Sequence, residues 1–426
     1  MGTIILQLLL LGLILFSLLA RKSKLFLLLV TVQVLVYDVF SVYSDEAISR
    51  WIRWPAKGWQ ELIFVVALVQ MVIRRQSFSK WLLLFIVPAA SGLAVAFLSG
   101  QAPGQIIQGF RIFLMLPLSL YLLMESRIFS RLSALIPAAV LLAFSALSVV
   151  YSFWQNQQFS GDLRLLWFYD FVNKIHPVEL ARFNYIRNGG LRATGFFISP
   201  LVQSAVLGFS ALIAIYLVRA PKKSITAYVL PGMLLMVFVA GLYLCRTRIG
   251  WVIFGGGLIS WYLGPYLSDW KKTAAFLVPG LLVFFTFVWL LSGFSSEPSA
   301  NGRLSQYAYL IDNFRFWGFG FGHPLTMTVF DSLIISSVFL FGFFAIFYLL
   351  IPLLICARLN FLPEASEKDK GGLHTDFFLL PPFAAFSSMI LYMMVFQFTN
   401  GGPVISLYYW FAFIFLSGVK FRDATG

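Results

Sequence analysis

Residues 3–24 read TIILQLLLLGLILFSLLARKSK, an uncharged run closed by Arg21, Lys22 and Lys24. A secretory signal carries its positive charge before the apolar stretch and small residues after it, and this order is reversed, so the segment predicts a retained first membrane span. Its length suits a bilayer core, which takes roughly 20 apolar residues. The same pattern recurs to the end of the chain. Of 426 residues, 60% are hydrophobic and 11% charged, against about 45–50% and about 25% in soluble domains. A cytosolic enzyme, a nucleic-acid module and a disordered protein are thereby excluded. The expected fold is all-α: a polytopic integral membrane protein with about 12–14 transmembrane helices and two larger outer loops.

Thirteen stretches qualify as spans: 3–20, 25–43, 59–73, 81–99, 109–124, 132–154, 196–218, 225–244, 249–267, 273–293, 332–356, 379–396 and 403–419. The third is short, and 225–244/249–267 and 379–396/403–419 read as tight hairpins. Alternate connections hold Arg21/Lys22/Lys24, Arg74/Arg75/Lys80, Arg127/Arg131, Arg219/Lys222/Lys223, Lys271/Lys272, Arg358/Lys368/Lys370 and Lys420/Arg422. Short loops rich in Lys and Arg stay in the cytoplasm, so the N-terminus is expected outside and the C-terminus inside. The formal net charge of +14 is then a matter of topology and anion affinity, with no nucleic-acid partner. The chain divides into N-terminal helices 1–154, an outer loop 155–195, central helices 196–293, an outer loop 294–331 and C-terminal helices 332–426. Cys245 and Cys356 fall on opposite sides, and with three histidines no metal site and no cofactor are expected.

The long outer loops carry Arg164, Lys174, Arg182, Arg187 and Arg192, and Arg303 and Arg315. Long loops translocate whatever their charge, so these arginines are either incidental or functional. Ionisable residues at membrane depth are functional candidates. Asp38, Arg111, Arg192, Arg246 and Arg248 all map to the outer interface and none to the midplane. A coupled transporter holds its charges near the midplane; an enzyme acting on a lipid headgroup needs cations where the headgroup lies. Asp38 and Arg111 can equally form a structural ion pair. Spans seven and nine begin right after Arg192 and Arg248, and helix N-termini favour anions. Arg192, Arg246 and Arg248 therefore sketch a pyrophosphate cradle, unless they are snorkelling side chains. Trp51, Trp54, Trp59, Trp154, Trp167, Phe168, Tyr169 and Phe171 lie in or beside outer loops as an interfacial belt or as sugar-stacking faces. Leu163–Val172 reads as amphipathic and surface-lying.

Four segments follow in order. They are Arg192-Ala193-Thr194-Gly195-Phe196-Phe197 before Ser199-Pro200; Cys245-Arg246-Thr247-Arg248-Ile249-Gly250-Trp251; Gly302-Arg303 with Tyr307, Tyr309 and Trp317-Gly318-Phe319-Gly320-Phe321-Gly322; and Phe330-Asp331-Ser332-Leu333 before Phe341-Gly342-Phe343. Over about residues 190–350 this resembles the O-antigen ligase and O-antigen polymerase superfamily of bacterial polysaccharide assembly. The resemblance implies a metal-independent membrane glycosyltransferase of the bacterial inner membrane with its active site facing the periplasm. Its donor would be a glycan on undecaprenyl diphosphate, among membrane lipids and with a possible chain-length regulator protein as partner. Arginines would stabilise the departing diphosphate: Arg192, Arg246, Arg248, Arg303 and Arg111. Arg187, Tyr307 and His323 are candidates for the acceptor sugar, and Asp331 and Arg303 for catalysis. Ligases commonly place His where Asp331 stands, so the pattern leans to a polymerase. Asp331 would orient the acceptor hydroxyl or take its proton, or cap the helix beginning at Ser332. A ligase, a flippase or transporter of lipid-linked sugars and a peptidoglycan glycosyltransferase are the competing readings. The glycine run lacks a preceding strand and a following acidic ribose ligand, so a nucleotide loop is rejected in favour of a turn against the membrane.

Overall fold

A computed structural model describes residues 2–39, 58–76, 78–129, 132–170, 185–187, 189–219, 226–263, 298–323, 332–361, 380–396 and 403–417. The chain is mostly helical: α1 (Gly2–Leu19), α2 (Ser23–Leu35), α3 (Trp59–Ile73), α4 (Leu83–Leu98), α5 (Pro103–Phe110), α6 (Leu116–Glu125), α7 (Leu135–Gln158), α8 (Pro200–Arg219), α9 (Thr226–Cys245), α10 (Arg248–Leu263), α11 (Pro298–Asp312), α12 (Leu333–Phe341), α13 (Ala345–Phe361), α14 (Leu380–Phe396) and α15 (Pro403–Ser417). A two-residue hairpin, β1 (Ile186–Arg187) and β2 (Gly190–Leu191), lies between α7 and α8. Among the described residues six helical stretches are long and apolar enough to cross a membrane: 80–98, 103–125, 135–158, 200–219, 228–245 and 333–359. Five more apolar helices are shorter. The expected span at 273–293 lies outside the described residues. Two expectations are corrected: the span placed at 109–124 begins at Pro103, and the expected loop 294–331 contains α11. In the second span α2 runs to Leu35, residues 37–39 are helical again, and 40–43 lie outside the described residues.

A helix apolar on every side belongs inside a bundle, and α15 is one: residues 403–415 are all buried. Trp410 donates from Nε1 to Thr31 Oγ1 of α2 (3.0 Å). Phe209 of α8 stacks on Phe386 of α14 at 4.1 Å. Between α7 and α8 the contact is polar. Ser145 and Ser210 hydroxyls meet at 2.9 Å, and Ser148 Oγ donates to Gln203 Oε1 at 2.8 Å. In lipid, where burial of apolar surface does not drive helices together, such bonds and close packing do.

Two spans are interrupted. Residues 111–115 between α5 and α6 are a π-helical turn. Pro117 has no N–H for the Phe113 carbonyl, and the Tyr348 hydroxyl donates to that carbonyl instead (3.0 Å). The last long span breaks at Gly342, between α12 and α13, where φ is +55°. The carbonyls freed at the end of α12 are taken up by the glycine run. Phe319 N–H donates to Phe339 O (2.9 Å) and Gly320 N–H to Leu340 O (3.0 Å), while Phe343 N–H returns a bond to Phe316 O (2.9 Å). On its other side Phe321 N–H donates to Gly92 O of α4 (3.1 Å). Gly318, Gly320 and Gly322 all have positive φ, and Cβ atoms there would strike Leu340 O, Ala96 N and Gln105 C respectively. The turn expected against the membrane is thus wedged between α4, α5 and α12.

The ends of the bundle can be told apart. Phe26, near the start of α2, stacks on Phe129, just past α6, at 4.9 Å. Trp81, before α4, faces Arg358, late in α13. The glycine run meets the far ends of α4, α5 and α12, and α2 leads away toward that same far end. Arg21, Arg75, Arg127 and Arg246, which follow α1, α3, α6 and α9, all adopt positive φ.

Replacing Gly320 or Gly342 by Ala should lower stability by at least about 2 kcal/mol, from left-handed strain plus collision. Gly104→Ala, with nothing within 4 Å of its Cβ, should leave it unchanged. Thermal unfolding in detergent measures this; equal melting of all three variants would refute the wedge.

Candidate functional site

The R-x-x-G-x-F segment reaches its place through a complete set of hydrogen bonds. Arg192 N–H donates to Tyr185 O (2.8 Å), Ala193 N–H to Leu244 O (3.1 Å) and Phe197 N–H to Thr194 O (3.1 Å). Gln155 Oε1, at the end of α7, accepts from Thr194 N–H (3.2 Å) and Gly195 N–H (3.1 Å). Ser148 Oγ accepts from Phe196 N–H (3.0 Å), and Asp38 Oδ2 accepts from Ile198 N–H (3.2 Å). The Tyr185 hydroxyl donates to Ile198 O (2.8 Å), and Trp167 Nε1 to Gly195 O (3.2 Å). Every N–H from 192 to 198 is thereby used, as buried backbone requires.

That accounting corrects one expectation. The N–H groups entering span seven were candidates to cradle an anion, and those of 192–198 are committed to the protein. Leu201 N–H is taken by Ser199 Oγ at 3.3 Å. On α10, Gly250 N–H donates to Ser204 Oγ at 2.9 Å. The N–H groups of 192–198 are therefore not open to an anion.

Three arginines lie beside this loop. The hairpin pairs Arg187 with Gly190 and turns at Gly189, whose φ is +71°. Arg246, in the short turn between α9 and α10, donates from Nη1 to Arg187 O (3.0 Å). Its guanidinium lies so close over Gly190 that a Cβ there would collide with it. Arg192 leaves the second strand and is near enough to Arg187 for the two charges to oppose each other. Burial first, and then Arg187, push the Arg192 pKa down. An arginine remains a cation at neutral pH regardless, so Arg187 and Arg192 repel each other at the hairpin. Burial, with Asp38 adding to it, pushes the Tyr185 phenol up, so that it stays a neutral donor. Arg248 opens α10 two residues after Arg246 and is exposed.

Arg111 is not brought to this trio by any contact shown. Its Nε and Nη2 make a two-pronged ion pair with Glu61 (2.6 and 3.2 Å), both side chains largely covered. The expected Asp38–Arg111 pair is corrected accordingly: Asp38 holds Ile198 and Arg111 holds Glu61.

Tyr307 and His323 do come together, at a second cluster on the same end of the bundle. His323 lies edge-on to Phe339 (5.3 Å) and against Phe319 (4.9 Å). Tyr307 packs on the same Ile335–Phe339 surface, and Arg315 sits over the Phe319 ring at 4.2 Å. Burial and then Arg315 push the His323 pKa down, which keeps the imidazole neutral at pH 7. Arg303 stands on α11 one turn before Tyr307. Asp331 lies outside the described residues, as do Trp51, Trp54 and Phe171. The capping role considered for Asp331 belongs to Ser332, whose hydroxyl accepts from Ile335 N–H (3.3 Å).

Other outer-loop expectations change too. Leu163, Leu166 and Phe168 form a small core with Tyr185 and Leu191, so the segment read as surface-lying packs under the hairpin. Trp59 is 2% exposed, inside the bundle. Residues that sequence reasoning passed over are Gln155, Ser148, Gln203, Tyr185 and Glu61. Two signals were there to find them. Asn188-Gly189 marks a hairpin turn, and Ser145, Ser148, Ser152 and Gln155 recur on one helical face.

Compared with protein families, curated proteins and solved structures, the chain matches none.

Gly190→Ala should keep the fold and displace the Arg246 guanidinium. Inorganic pyrophosphate should raise the melting temperature of the unmodified protein and raise that of the variant little. An equal rise in both would separate Arg246 from anion binding. Gln155→Leu strips the acceptor from two buried N–H groups and should cost about 2–5 kcal/mol, read as a lower melting temperature.

Proposed function

We propose that this protein is a membrane-embedded glycosyltransferase that polymerises oligosaccharide repeat units carried on undecaprenyl diphosphate, working at the outer face of the bacterial inner membrane. The observation that carries this reading is the convergence of Arg187, Arg192 and Arg246 on a fully hydrogen-bonded hairpin and loop at one end of an apolar helix bundle. Guanidinium forks match phosphate oxygens and hold their charge where dielectric is low. The opposite end bears Arg21, Lys22, Lys24, Arg74, Arg75, Lys80, Arg127 and Arg358, and the positive-inside bias turns that end to the cytoplasm.

In this reading the acceptor hydroxyl oxygen attacks the anomeric carbon of the donor. The carbon–oxygen bond to the diphosphate breaks, and its electron pair leaves with the lipid diphosphate. The arginines meet the negative charge that grows there, an interaction stronger in the transition state than in the ground state. The Tyr307–His323–Phe339 surface offers an aromatic floor and a neutral imidazole to the acceptor sugar. Asp331 keeps its proposed place as proton acceptor.

The test is purified protein given its lipid-diphosphate-linked repeat unit alone, with products resolved by gel. A ladder of longer glycans is expected. Arg192→Ala or Arg246→Ala should cut its formation by about 10²–10³-fold, the usual loss for one transition-state donor, and Arg192→Lys should restore little. Transfer only after addition of a lipid A core acceptor would make the protein a ligase. No product under either condition would return the reading to transport.

A further inference from the structure

At the end of the bundle opposite the arginine trio, α4, α6, α13 and α15 line an open cleft of about 120 Å³. Its walls are apolar, with Leu84, Leu120, Ile351 and Phe413 contributing one side chain from each helix. From Ile351 to Arg358 it follows two turns of α13, roughly 10 Å at the helical rise. Its rim has a different character. Arg358 lies over the Trp81 indole at 5.4 Å, and Lys80 lies over the same ring at 5.9 Å. Glu125, the last residue of α6, lines the cleft beside them. One end here is greasy and the other carries two cations and one anion.

We infer that this cleft is a binding site for a zwitterionic aminophospholipid of the phosphatidylethanolamine type. One acyl chain fills the apolar depth, the phosphate faces Arg358 and Lys80, and the primary ammonium faces Glu125. The charge pattern selects this occupant. An anionic headgroup such as phosphatidylglycerol would satisfy the cations but offer Glu125 only neutral hydroxyls, with no positive charge to meet it. A choline headgroup carries its charge without N–H donors for the carboxylate. Basic pockets between helices near the cytoplasmic surface are lipid headgroup sites by general physical logic, and Trp81 sets the indole at the depth where one end is apolar and the other wet.

Protein delipidated in detergent and then incubated with phosphatidylethanolamine, phosphatidylcholine or phosphatidylglycerol of identical acyl chains would be read by native mass spectrometry. Phosphatidylethanolamine should be retained at least tenfold better than the other two. Glu125→Gln should erase its advantage over phosphatidylcholine, and Arg358→Gln should reduce retention of every phospholipid. Leu84→Trp, which fills the cleft, should abolish retention; if that variant fails to fold, the two rim variants decide alone. Equal retention of all three lipids by the unmodified protein, or retention of phosphatidylethanolamine unchanged in both rim variants, would overturn the proposal. The readout needs no glycosyl transfer and stands apart from it.

Discussion

A backbone N–H or C=O inside a helix bundle in lipid finds no water, and leaving it unpaired costs several kcal/mol. Two stretches of this chain leave helical conformation while packed against helices, and both obey that constraint without exception among the bonds traced above. Residues 192–198 are served by Gln155, Ser148, Asp38 and neighbouring carbonyls. The glycine run serves, and is served by, the chain at the break after α12, and it donates to the Gly92 carbonyl within α4. Each irregular segment exists because helices supply its missing partners, and each brings chemistry to the same end of the bundle.

Satisfaction of the backbone also sets what kind of site results. A loop whose N–H groups were loose could wrap an anion with its own backbone. This one cannot, and it serves instead as a rigid mount for side chains. The Arg246 guanidinium is tied to the Arg187 carbonyl, which under the proposed function leaves less order to impose on binding. Arg111 shows the contrast. Paired two-pronged with Glu61, it has its carboxylate already and behaves as a strut between α3 and the π-turn.

Much of this was legible in the sequence, and the limit is instructive. Hydropathy located the helices 226–245, 380–396 and 403–417 to within about two residues over the described chain, because a lipid-facing helix must be apolar over a set length. The same reasoning puts Asp38, Arg111, Arg192 and Arg246 at one end of their spans. Lateral neighbours were not. Asp38 and Arg111 share a depth and carry opposite charge, yet each pairs with another residue, since helix order around a bundle leaves no trace in hydropathy. Gln155 looked like an ordinary polar end to a long span. Its role appears only when Thr194 and Gly195 present two N–H groups to one oxygen. Ser332 took the cap considered for Asp331 because a hydroxyl at the residue directly before the helix reaches the third N–H, and the position one further out does not.

The left-handed arginines have a wider meaning. Glycine usually fills that place after a helix, because a side chain there costs roughly 1–2 kcal/mol. At Arg21 and Arg75 the closing bonds of such a helix end are complete: Lys22 N–H reaches Ser17 O (2.9 Å) and Gln76 N–H reaches Met71 O (3.1 Å). The residue that stops the helix is thus also the residue that bears the charge. A charge placed elsewhere in a loop could drift by a residue or two without consequence. Here a shift in the charge would shift the helix terminus with it, so span length and the charge map of each face cannot vary independently as the sequence evolves.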